Sequence, residues 1–96
     1  MLTVTITAKD KLKETLLKQT RDPEVGIRVT SLHSRANRLE LALDKEKKGD
    51  HVVASEEGCK VLLICSKLAH GLTGIVLDYK ETFYGADFII SKDTHA

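Results

Sequence analysis

At 96 residues the chain has room for one domain and one core. Hydrophobic residues make up 42% and charged residues 30%, which excludes a disordered or fibrous polymer and leaves a folded globular class. With 15 Lys+Arg against 14 Asp+Glu, no global field draws the protein to nucleic acid or to an anionic membrane. The mild basic bias of residues 1–50 reads as solvated surface. Met1-Leu2-Thr3-Val4 lacks the basic stretch and apolar run of a secretory signal, and no run reaches membrane-spanning length, so the expected address is cytoplasmic. Two cysteines, Cys59 and Cys65, are too few for a disulfide scaffold and suit a reducing compartment.

Leu2, Val4 and Ile6 alternate with threonines, the period of a half-buried strand. Thr7 changes the period: its hydroxyl is placed to cap a helix with Asp10 at the third position. Ala8, Leu12 and Leu16 then form an apolar stripe at spacing four, widened by Leu17, with Glu14 and Lys18 as an outer pair. The helix should stop near Thr20, because Pro23 disfavours helical geometry at Asp22.

Beyond it the pattern is β. Val25, Ile27 and Val29 share one face, and the same parity returns in Leu39, Leu41 and Leu43, predicting a hairpin around a loop at residues 32–38. Residues 45–50 read as a charged, solubilising turn leading into His51-Val52-Val53. Glu56-Glu57-Gly58 makes a second turn before Val61-Leu62-Leu63-Ile64, whose unbroken apolar character predicts a strand covered on both faces. Ser66 caps a short helix ended by Gly71, and two strands follow, Ile75 to Tyr79 and Asp87 to Ile90, joined through Phe83-Tyr84-Gly85-Ala86. All four aromatics lie between Tyr79 and Phe88, as bulky core or as a contact surface, with core preferred.

Chemistry is thinly represented. Cys59 and Cys65 share strand parity and would stand about 20 Å apart along one strand, so they neither bridge nor chelate together, and buried free thiols are the expectation. His33, His51, His70 and His95 show no helical pairing. Ser31 and Ser34 lie in no nucleophile elbow, and the glycines form no phosphate cradle, which argues against an enzyme. Asp78 and Asp87 read as outward strand charges that protect an edge.

Taken in order, Gly26-Ile27-Arg28-Val29, Leu41-Ala42-Leu43-Asp44 with its charged turn to Asp50, Glu57-Gly58, and Leu77-Asp78-Tyr79 with Gly85 before Phe88 resemble the HesB-like family, the A-type iron-sulfur carriers. The resemblance covers nearly the whole chain. It implies a mainly β fold with an N-terminal α-helix, a pseudobarrel or sandwich of short strands plus a second short helix, often self-associating. Carriers of that family hold iron or a cluster through one cysteine in a Cys-Ser-Gly loop and two in a C-terminal Cys-Gly-Cys. Here the loop reads Ser34-Arg35-Ala36, and no Cys-Gly-Cys follows.

The resemblance therefore implies a domain of iron-sulfur cluster biogenesis without the family's ligands: no resident cofactor, no metal site, and a partner protein such as an assembly component or a competent carrier. His33, Ser34, Arg35 and Arg38 are the candidate contact loop, with the arginines as anchors. Two other readings stay open. One is a metal carrier of altered chemistry using Cys59, Cys65 or His33 across a subunit interface; the other is a small-ligand or enzymatic site beneath Tyr79, Phe83 and Tyr84.

Overall fold

A computed structural model describes residues 2–33 and 38–92, with backbone alone for 32, 33 and 38. The chain runs β1 (Thr3–Val4), α1 (Ile6–Gln19), β2 (Val25–His33), β3 (Arg38–Lys45), β4 (His51–Ala54), β5 (Lys60–Ile64), α2 (Ser66–Gly71), β6 (Ile75–Thr82) and β7 (Gly85–Lys92). The strands form two sheets, β1-β6-β7 and β3-β2-β5-β4, which do not close into a barrel among the described residues. The expected mainly β fold with two helices is present.

Helix α1 begins earlier than its period suggests. Thr5, not Thr7, is the N-cap, its hydroxyl accepting from the Ala8 N–H at 3.2 Å. The Thr5 N–H donates to the Leu77 carbonyl at 3.0 Å, and its hydroxyl donates to Asp78 Oδ1 at 2.8 Å. These bonds, made where β1 lies parallel beside β6, fix where the helix starts. Ile6 is consequently helical and 59% exposed, which ends the alternation of Leu2 and Val4. Ala8, Leu12 and Leu16 are buried as their spacing requires, whereas Leu17 is 56% exposed and does not widen the stripe. The helix closes at Thr20, whose N–H donates to Leu16 at 2.9 Å, before the break that Pro23 imposes.

Strand β5 is the centre of the larger sheet, parallel to β2 and antiparallel to β4. Val61, Leu62, Leu63 and Ile64 are wholly buried, as their apolar run predicts. Val61, Leu62 and Ile64 join the main core with Leu12, Leu72 and Leu77. Each such side chain contributes about 1.5–3 kcal/mol of burial. Leu63 lies on the other face, where its register partners are Arg28 and Val52. A Cβ on Gly26 would stand 3.0 Å from Leu63 Cγ, so this glycine is needed for close approach rather than for a turn.

In α2 the N-cap is Cys65 rather than Ser66, and the helix runs through Gly71, with Leu72 as C-cap. The smaller sheet is dominated by the long antiparallel β6–β7 hairpin, paired from Ile75↔Lys92 to Thr82↔Gly85. Its turn is tighter than expected: only Phe83 and Tyr84 stand between the paired ends.

Candidate functional site

The β2–β3 ladder carries the predicted loop. Pairing continues through Leu32↔Leu39 to His33↔Arg38, so the connection shrinks from residues 32–38 to 34–37. Ser34 and Arg35 lie outside the described residues, and so do the side chains of His33 and Arg38. The described part is the ladder itself, with an irregularity of register between Val29 and Ser31.

At the other end of that hairpin sits a charge cluster. Arg28 Nη2 donates to Asp50 Oδ2 at 2.6 Å, Nη1 donates to Oδ1 at 3.0 Å, and Nε donates to Asp44 Oδ2 at 2.5 Å. Nη2 also donates to the Lys45 carbonyl at 3.1 Å, while the Lys47 N–H donates to Asp50 at 2.7 Å. The Asp50 side chain is only 3% exposed and that of Arg28 12%. Arg28 holds both carboxyls below the usual aspartate range and is itself raised, chiefly by Asp50. The stretch expected to serve solubility is therefore clamped onto β2. Composition hid this, because Asp50 looks like one more charge in a charged turn.

A second polar tie was also missed. Asp78, expected to guard an edge, accepts from the Thr5 hydroxyl and from the Tyr79 N–H at 2.8 Å each. Thr5, followed by that N–H, lowers its pKa. The only sequence signal was a threonine two residues ahead of the one chosen as cap.

Both cysteines are exposed, contrary to the expected burial. The run from Val61 to Ile64 takes the buried positions, Cys59 precedes the strand beside Gly58, and Cys65 is where the chain leaves the sheet for α2. They flank a continuous β5, which keeps them about 20 Å apart at strand rise. Cys59 borders an open cavity of ≈ 430 Å³ with Leu16, Pro23 and Val25. Among the described residues, no three His, Cys, Asp or Glu side chains are grouped to hold a metal. A cluster therefore finds no fitting donor set there.

The aromatics divide. Tyr79 and Phe88 stack edge to face at 5.1 Å against the core, with Lys11 Nζ 5.4 Å from the Tyr79 ring centroid. Phe83 and Tyr84 are each 97% exposed, so they wall no cleft, and a ligand site beneath them is not what the fold builds. A separate open apolar groove of ≈ 260 Å³ lies where α1, the β2–β3 hairpin and β7 meet. Leu43, which shares the strand parity of Leu39 and Leu41, is 46% exposed on the groove's wall.

No family model matches the sequence, and no curated protein matches it significantly. Solved structures do. The crystal structure of Escherichia coli SufA, involved in biosynthesis of iron-sulfur clusters, has a TM-score of 0.67 at 21% identity, over 98% of this chain and 87% of that one. The crystal structure of IscA with a 2Fe-2S cluster has a TM-score of 0.58 at 23% identity, over 96% of this chain and 85% of that one. This chain has the fold of these two proteins, the HesB-like fold.

Proposed function

We propose that the chain serves iron-sulfur cluster biogenesis as a non-enzymatic interaction module: a HesB-like domain without the cluster-ligating cysteines, binding an assembly component or pairing with a competent carrier in the cytoplasm. The reading rests on one observation. A carrier-like fold presents a β2–β3 connection that reads Ser34-Arg35-Ala36-Asn37, while its two cysteines flank β5 instead. A serine hydroxyl does not replace a thiolate toward iron at comparable affinity. Retained architecture with changed chemistry is what a binding module needs.

The hairpin end is the proposed contact, with Arg35 and Arg38 as anchors and His33 and Ser34 beside them. The test is affinity for cluster-assembly proteins with Arg35 and Arg38 both changed to Ala. A loss of about tenfold or more supports the hairpin end, and unchanged affinity rejects it.

A second reading is favoured by the exposure of both thiols. Cys59 or Cys65 of one copy, or His33, would then meet a neighbouring subunit and share a metal across the interface. In that case, changing both cysteines to Ser abolishes metal uptake; in the first reading there is no uptake to abolish.

A further inference from the structure

The space between the last turn of α1 and the start of β5 is larger than the groove beside β7. It is an open cavity of ≈ 430 Å³, inside the roughly 300–1,000 Å³ of small-molecule pockets. Leu16, Leu17, Pro23 and Val25 give it aliphatic walls. At about 30 Å³ per non-hydrogen atom, the share of a water molecule in the liquid, it takes roughly ten to fourteen atoms.

Most of the charge around this cavity is already engaged. Lys60 Nζ pairs with Glu46 Oε1 at 2.7 Å, and Asp22 Oδ1 accepts from the Glu24 N–H at 2.9 Å. Arg21, exposed in the same lining, makes no hydrogen bond or ion pair among the described residues. The segment that carries it is tied down: the Thr20 hydroxyl accepts from the Asp22 N–H at 3.1 Å, the Asp22 carbonyl accepts from the Val25 N–H at 3.1 Å, and Pro23 lies between with its fixed φ. A held, uncommitted guanidinium beside aliphatic walls suits a carboxylate with an apolar body. Asp22 and the carbonyl end of α1 limit the charge that can enter, so that a single negative charge pairs with Arg21 and a dianion such as a phosphate ester is repelled.

We propose that this cavity binds a small aliphatic monocarboxylate of about ten carbons, its chain along Leu17, Pro23 and Val25 and its carboxylate on Arg21. The site is separate from the contact proposed at the β2–β3 connection and does not depend on the loss of cluster ligands.

Cys59 borders the cavity and is exposed, while Cys65, also exposed, lies beyond the far end of β5. Alkylation by iodoacetamide, a neutral reagent, followed at each thiol by peptide mass spectrometry, therefore reads occupancy with an internal control. Decanoate is the probe. At about a millimolar or below it should slow alkylation of Cys59 severalfold and leave Cys65 unchanged. Arg21→Gln should raise the decanoate concentration needed for half-protection about tenfold or more. Decanol, which keeps the chain and lacks the charge, should protect the wild type as poorly as decanoate protects that variant. Leu17→Gln, at a helix position 56% exposed, should weaken protection through the wall without disturbing the core. No protection of Cys59 at several millimolar decanoate overturns the proposal. So does equal slowing of both thiols, which marks a detergent effect, and so does protection that is unchanged in Arg21→Gln or matched by decanol.

Discussion

Arg28 on β2 and Asp50 at the end of the charged turn form a two-pronged ion pair, at 2.6 and 3.0 Å, with the aspartate side chain 3% exposed. A pair so little hydrated is costly to break singly, because the remaining charge keeps its burial and loses its partner. Asp50→Ala should therefore cost about 3–5 kcal/mol in urea unfolding. The exposed pair Glu14 and Lys18, at 3.5 Å, serves as the control: Lys18→Ala should cost under about 0.5 kcal/mol.

The same pair sets a pH dependence. The native pKa of Asp50 lies below that of an unfolded aspartate, about 3.9. Its contribution is complete above that value and is lost as pH falls through the lowered native pKa, since the unfolded chain takes up the proton first. Asp44 and Asp78 are lowered as well and act in the same direction. The urea midpoint should drop on acidification below about pH 4, and less steeply in Asp50→Asn, which has no proton to bind at that position.

Thr5 serves as helix cap and as donor to Asp78. Thr5→Ala should lower stability by about 1–2 kcal/mol, whereas Thr7→Ala, which removes no cap, should stay within about 0.5 kcal/mol. Thermal unfolding of the two variants separates them, and a reversed order would contradict the cap assignment.

Both thiols are open to reagent in the native fold. A chromogenic disulfide should titrate two thiols per chain without denaturant, and mild oxidation should yield no disulfide within a chain, because β5 holds Cys59 and Cys65 apart. Reaction only after unfolding would restore the buried assignment.

Much of the fold was legible because its pieces announce themselves locally. The spacing of Ala8, Leu12 and Leu16, the parity of Val25 to Val29 and the solid run at Val61 to Ile64 each determine a face or a centre without reference to distant residues. What escaped depended on distant partners. Asp50 is a buried ligand of Arg28 only because the turn folds back on β2, and Thr5 wins the cap only because Asp78 and Leu77 wait on β6. Neither cysteine is buried, because burial on β5 runs only from Val61 to Ile64, and Cys59 and Cys65 lie outside its two ends. The motifs behind the family resemblance explain why fold was easier to read than function. Arg28, Asp44, Asp50 and Asp78 maintain architecture, and residues 34–37 carry no motif that announces a chemistry of its own.

Anaerobic reconstitution with iron and sulfide, read by visible absorption and metal analysis after desalting, decides whether this fold still holds a cluster. Without the ligand cysteines, the protein should stay colourless with iron far below one atom per chain. Brown protein carrying stoichiometric iron would contradict it.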